Sequence, residues 1–455
     1  MPNNRNLGGV FMTDKDGQMG KGTLASSEFV CGLIFDTSVF GGIASVLTGD
    51  AAKNFANGNV VELNSLEDVK KAGIDETQMC GLPYYHLSTF FTLAGNNQRL
   101  FLAFMDSTTD ANYSAIEKLQ LASGGLIYQV GLWTGNAFAK NGKSGDYTVE
   151  NASLLSKLQT QAEILGGKIG TTNYDGNQPL NVILTAPPID EAVCDITKLP
   201  DLSTLDMPKV SIMLGQASTD EVHKIQLEMI KKNAETPHYV QVGCVGAVLA
   251  CLAVAPVEVN IGNTNFNLNS VMTECEFGFG DLTLNTGKTA FADTVSFNNI
   301  KTIRYQLRNK THQKCYNFLM NYDGFENGVF ISDDQTLTTG DYRSLTRCRT
   351  IHKTRRVVRL NLLPLVKQDF FVDTSTGYLT DADVTTIQNA VYDALDKNMV
   401  DPGTTTSQIS GRQVNIDGEQ DILNDDQFII SYDIVPKGYT SAIHCSEGFV
   451  KSITA

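Results

Sequence analysis

The side chains that most often carry chemistry are histidines, cysteines and close-set carboxylates, and their spacing here builds no familiar site. The six histidines stand in isolated contexts such as Val-His-Lys, Pro-His-Tyr and Thr-His-Gln. None has a cysteine, carboxylate or second histidine at metal-ligand spacing. His86, beside Tyr84 and Tyr85, reads as a packing residue. The nine cysteines contain no CxxC pair, and the closest two, Cys244 and Cys251, are seven apart. Among apolar neighbours a thiol behaves as a small hydrophobe, so reduced cysteines and cytoplasmic assembly are expected. Three acidic clusters, Asp333-Asp334, Asp381-Ala382-Asp383 and Asp425-Asp426, offer the oxygens that Mg²⁺ or Ca²⁺ prefers. They suit solvated loops and helix N-termini better, and Asp381 and Asp383 follow a capping threonine, Thr380. A structural cation at one of them stays open. Gly20-Lys21-Gly22-Thr23 lacks both the GxxxxGK[ST] frame and an apolar strand leading into it. The HExxH, GxSxG, GxGxxG and EF-hand patterns do not occur. No catalytic, cofactor-binding or metal-ligating residue is assigned, and the expectation is a protein that is not an enzyme and needs no cofactor.

The strongest electrostatic feature is a basic run: Arg343, Arg347, Arg349, His352, Lys353, Arg355, Arg356 and Arg359. It places seven Lys or Arg within seventeen residues of a chain whose net charge is −15. On a helix, positions 345, 348, 351, 352 and 358 can face a core, while 349, 353 and 356 share another face. A solvated helix is one reading, and a face built for an acidic partner is the other. From Lys367 onward there are fourteen Asp or Glu against five Lys or Arg. That partner could therefore be the same subunit or a neighbouring copy. Nucleic acid is a poor fit, because the chain is acidic and the run lacks interleaved aromatics for stacking.

These residues are positioned by a chain of 455 residues, 42% apolar and 19% charged, long enough for two to four domains. The fold class expected is α/β, or mixed α+β, and multidomain. Short apolar runs ending in aspartate, FVCGLIFD (29–36) and RLFLAFMD (99–106), read as buried strands, as do GLIYQVGLWTG, NVILTAPP and VSIMLGQ. Helices are expected at Ser65–Lys71, Ser153–Leu165, Thr219–Lys232, Asp341–Leu363 and Thr380–Met399. In the last, Val384, Ile387, Val391, Leu395 and Met399 form one apolar stripe. Strands follow in QVNID and QFIISYDIVP. Residues 262–299 read as β and turn structure, and IRYQL opens a further unit. The uncharged stretch Tyr239–Val257 is nineteen residues long, close to spanning length, but its Gln241, Pro256 and small residues favour a buried, closely packed helix. No stable membrane insertion is expected, and no signal peptide is visible.

The stretch GVFISDDQTLTTGDYRSLTRCRTIHKTRRVVRLNLLPLV (328–366) resembles the core region of contractile phage tail sheath proteins, where a turn leads into a basic helix. The resemblance continues through GYLTDADVTTIQNAVYDALDKNMV and QFIISYDIVPKGYTSAIHCSEGFV, and more weakly through VGCVGAVLACLAVAPVEVNIG. The nearest group is the divergent one of phages and prophages of Bacteroidetes-type bacteria. It implies a sheath-like core formed by the N-terminal arm and the C-terminal region, with outer domains inserted between them. The implied division is an extended arm at 1–28, outer α/β domains at 29–205, a middle α/β region at 206–327, the sheath core at 328–448 and a C-terminal arm at 449–455. It also implies self-association as six-subunit rings stacked helically around an inner tail tube protein, with tail terminator and baseplate proteins as further partners. The location implied is a virion tail assembled in the host cytoplasm. Under the resemblance Arg343, Arg347, Arg349, Lys353, Arg355, Arg356 and Arg359 become a tube-facing or intersubunit surface, and Phe449, Val450 and Ile453 part of a strand-donating arm. Another capsid- or tail-associated structural protein, or a binding or enzymatic module, stays open as the alternative.

Overall fold

The computed structural model of the chain describes residues 27–135, 152–168, 177–185, 200–232, 241–276, 314–322, 328–400, 407–425, 427–440, 443–445 and 449. The strands before residue 332 are β1 (Cys31–Asp36), β2 (Val61–Leu63), β3 (Leu100–Met105), β4 (Gln129–Trp133), β5 (Asn181–Thr185), β6 (Val210–Leu214), β7 (Gln216–Ala217), β8 (Cys275–Glu276), β9 (Tyr316–Met320) and β10 (Phe330–Ile331). All but β7 and β8 form one eight-stranded sheet in the order β10-β9-β6-β5-β4-β1-β3-β2. The inner strands run parallel, and the edge strands β2 and β10 are antiparallel to their neighbours. A parallel strand covered on both faces must be apolar throughout, and CGLIFD and LFLAFM are buried at every position.

After two short helices at Ile43–Val46 and Gly49–Asn54, the helices of this region are α1 (Leu66–Lys71), α2 (Leu82–Ala94), α3 (Ala115–Ala122), α4 (Ala152–Gly166), α5 (Asp220–Lys232) and α6 (Val245–Val254). Side chains alternate across the sheet, so two cores form. Cys31, Leu33, Phe35, Leu100, Leu102 and Phe104 pack with α2 and α6 on one face. Ile34, Phe101, Ala103 and Met105 pack with α3 and α4 on the other. The stripe at 154, 155, 158, 162 and 165 of α4 is buried as its spacing predicts. Ser65 caps α1 by accepting from the Asp68 N–H, and Asp68 accepts from the Asn64 N–H in return. Strands on both sides of residues 205 and 327 share the sheet, through the pairs β5–β6 and β9–β10.

The uncharged stretch resolves into α6, buried at every position except Val254. Among the described residues no helix is long and apolar enough to cross a membrane. Close packing explains its small residues: a Cβ on Gly246 would sit 2.2 Å from the His86 carbonyl oxygen of α2. His86 is a packing residue, stacked on Phe35, with Nε2 2.9 Å from the Val242 carbonyl and Nδ1 accepting from the Gly246 N–H. Burial lowers its pKa to about 4, so the ring is neutral.

The C-terminal part holds α7 (Leu345–Leu362), α8 (Asp381–Leu395) and the antiparallel hairpin β11 (Ile409–Ile416) with β12 (Ile430–Pro436). The basic helix begins at Leu345 rather than Asp341, because Ser344 caps it by accepting from the Arg347 N–H. Thr380 caps α8 through the Asp383 N–H, and a π-turn at Asp396–Val400 carries the helix to Met399. Val391, Leu395 and Met399 of this stripe pack on Ile409 and Val414 of the hairpin and on Val358 of α7. Residues 1–26, the GKGT segment, IRYQL, residues 277–299, Cys194, Val450 and Ile453 lie outside the described residues. Among the eight described cysteines no disulfide forms.

Gly246→Ala should lower stability by about 1–3 kcal/mol, since the added methyl meets backbone rather than a yielding side chain. Urea denaturation measures this; an unchanged midpoint would show that α2 and α6 can separate at no cost.

Candidate assembly interface

The basic helix runs along the edge where the parallel strands begin. The residues preceding β1, β4, β5 and β6 all reach it: Glu28, Ile127, Pro179 and Pro208. Arg349 is 1% exposed and donates Nη2 to the carbonyls of Leu252 (3.0 Å) and Ala255 (2.8 Å), at the C-terminal end of α6. Arg355 donates to the Gly166 carbonyl, at the C-terminal end of α4. Helix C-termini present carbonyls without intrahelical partners and carry partial negative charge, so a guanidinium satisfies both needs. Arg356 donates to the carbonyls of Ile127 (2.7 Å) and Pro179 (2.8 Å), with its guanidinium 4.1 Å from the centre of the Tyr128 ring. Lys353 forms a 2.7 Å ion pair with Glu28, both largely buried. Four of the seven cations that the sequence places on an interface are therefore engaged inside the chain. Arg343 and Arg359 are exposed, and Arg347 is half-buried, donating to the Asp341 carbonyl at 3.1 Å.

The pair Asp333-Asp334 is buried rather than solvated, which corrects the loop reading of that cluster. Asp334 accepts from the Thr346 N–H in the first turn of α7 at 2.7 Å, from the Thr346 hydroxyl, and from Asn260 Nδ2 at 3.0 Å. Burial and the neighbouring Asp333 carboxylate push its pKa up to about 7, against the pull of those donors and of Arg349. Asp381 and Asp383 sit in the first turn of α8 as expected. Among the described residues no cluster of His, Cys, Asp or Glu is arranged to hold a metal ion.

Two residues that sequence reasoning passed over shape the frame. Asp36, at the carboxyl end of β1, is fully buried and accepts from the Ser38 N–H, the Ser107 N–H and the Thr134 hydroxyl. It ties together the loops after β1, β3 and β4. The signal was the aspartate that ends FVCGLIFD. Lys209, at the start of β6, is 4% exposed and donates to the Ala162 carbonyl at 3.3 Å.

Exposed apolar side chains gather at the C-terminal end. Of thirteen large ones among the described residues, ten follow residue 359, with Phe371, Ile429, Ile443 and Phe449 the most exposed of the set. Isolated exposed apolar residues are ordinary, and the feature of note here is their concentration late in the sequence. The hairpin pairs β11 only with β12, so each strand leaves one edge without a ladder partner among the described residues.

The fold is similar to that of solved chains of contractile injection systems, sheath chains among them. The chain is similar over 98% of its length to the helical sheath of the anti-feeding prophage in its contracted state, covering 99% of that chain with a TM-score of 0.51 and 11% identity. A chain of the anti-feeding prophage baseplate matches with a TM-score of 0.50 and 10% identity, over 98% of this chain and 99% of that one. A chain of the contracted PVC sheath complex, from an extracellular contractile injection system, matches with a TM-score of 0.50 and 10% identity, over 98% of both. A family described as "DUF2586, C-terminal domain" matches residues 341–454, from the turn before α7 onward. No curated protein matches the sequence.

Lys353→Met should cost about 3–5 kcal/mol, because it leaves Glu28 buried without its ammonium, whereas Arg359→Met should stay within about 0.5 kcal/mol of wild type. Equal effects in chemical denaturation would contradict the division into engaged and outward-facing cations. Asp334 also makes a signed prediction. Its folded pKa lies above the ordinary carboxylate value near 3.9, so the folded state holds the extra proton and stability falls as pH rises from about 4 to about 7. Measured at pH 5.5 and 8, the stability of wild type relative to Asp334→Asn should drop at the higher pH. A constant difference would place the Asp334 titration outside that window.

Proposed function

We propose that this protein is a structural subunit of a contractile tail sheath, forming six-subunit rings stacked helically around an inner tube and driving that tube through a host cell envelope on contraction. The carrying observation is the match over nearly the whole chain to sheath subunits, with the C-terminal part included. The open edges of β11 and β12 support strand exchange between subunits, since an added strand gains main-chain hydrogen bonds with little side-chain specificity. Closure of a ring then makes individually weak contacts sufficient. In this reading residues 1–28 and 449–455, with Phe449, Val450 and Ile453, are the exchanged arms. Residues 29–205 supply the outer domains, 206–327 a middle region, and 328–448 the core. Arg343, Arg347 and Arg359 are the members of the basic run left for a neighbouring subunit or the tube. Tail terminator and baseplate proteins bound the array at its ends, the assembly takes place in the host cytoplasm, and contraction draws on the energy of the assembled array, with no catalytic step or cofactor in the subunit.

Removal of residues 449–455 should leave folding cooperativity intact and reduce the sedimenting polymer by roughly tenfold or more, the scale expected when multivalent closure is lost. Undiminished polymer in sedimentation velocity would remove the C-terminal arm from the assembly mechanism.

A further inference from the structure

The two outer edges of the β11–β12 hairpin differ. Val414, in β11, donates its N–H to Tyr392 Oη at 3.2 Å, and its carbonyl accepts from Gln388 Nε2 at 2.7 Å. Both side chains come from α8, four residues apart and so on one helix face. They bond Val414 as the backbone of a third strand would. Val414 pairs with Tyr432, and its N–H goes to α8, so this is one of the antiparallel pairs that exchange no hydrogen bonds. Ile430, Tyr432 and Ile434 therefore point their N–H and C=O groups away from β11. Gln420 fits that alternation, accepting from the Ile429 N–H and donating to the Ile429 carbonyl at 3.0 Å, one residue out of phase with Ile430. Among the described residues nothing bonds the outward groups of Ile430, Tyr432 and Ile434.

Edges that must not pair are blunted by bulges, charges or covering groups. Strand β11 has all three: a register break between Ile409 and Gly411, Arg412 paired with Asp396, and the two α8 side chains. Strand β12 has no register break, and Ile429 and Val435 stand exposed along it. We propose that Gln388 and Tyr392 are an edge guard that closes β11 to strand addition and confines it to β12, where an extended strand of a second copy of this chain pairs with Ile430, Tyr432 and Ile434. The chain's own tail does not cover that edge at Ile443 or Phe449, which are both exposed. Pro436, without an N–H, ends the accepting edge. The choice of a second copy rests on the sheath reading; the guard itself rests on the contacts of Val414.

Amide hydrogen exchange, read residue by residue in the dilute full chain and in the assembled polymer, tests this. In the dilute chain Val414 should be protected while Ile430, Tyr432 and Ile434 exchange freely. On assembly those three should slow by roughly tenfold or more. Arg412 and Ile416, whose N–H groups point outward on β11, should not change. Gln388→Ala combined with Tyr392→Phe, which keeps the ring beside Arg412, should speed Val414 exchange by roughly tenfold or more in the dilute chain. Gln413 and Asp433 of the inner ladder should stay protected in that variant, and β11 should gain protection on assembly. Unaltered Val414 exchange in the double variant would overturn the guard. Polymer in which Arg412 and Ile416 slow instead, or in which Ile430, Tyr432 and Ile434 exchange as in the dilute chain, would overturn the proposal and leave the sheath reading standing. A chain that never polymerises would overturn both.

Discussion

The structure depends on a helix that turns four of its cations, Arg349, Lys353, Arg355 and Arg356, inward. Helix α7 lies across the starting edge of a parallel sheet, where carbonyls from helix ends and strand-entry loops converge. Arg349 serves the end of α6, Arg355 the end of α4, and Arg356 the entries to β4 and β5. Lys353 holds Glu28 just before β1. A buried carbonyl without a donor costs more than a typical hydrogen bond returns, so each cation secures an element that would otherwise end unsatisfied. The threonines at 346, 350 and 354 recur every four residues and return their hydroxyls to the helix or to Asp334, which lets a polar helix lie buried.

The same helix enters a second core. Val358 and Leu362 pack with α8 and the hairpin. One rigid element thus carries the contacts of both the eight-stranded sheet and the C-terminal unit.

Much of the scaffold was legible because the strands of the parallel sheet are short apolar runs, and helices such as α1, α4 and α8 carry a cap or a periodic apolar stripe. Ser65, Thr380 and the 154–165 stripe behave as local chemistry dictates. The long uncharged stretch was legible as a packed helix because of Gly246 and its alanines. What could not be read was long-range: that strands on both sides of residues 205 and 327 join one sheet, and that three of the cations, Arg349, Arg355 and Arg356, face carbonyls. Charge pattern reports that a partner exists, and α7 shows that backbone dipoles can be that partner. Asp333-Asp334 escaped for the same reason, since only the fold brings Thr346 and Asn260 to it.

Electron microscopy of the purified full-length chain, before and after concentration, tests the sheath account most directly. Six-fold rings or hollow tubes of stacked rings are the result it predicts. A uniform population of compact monomers or closed dimers at every concentration would contradict it.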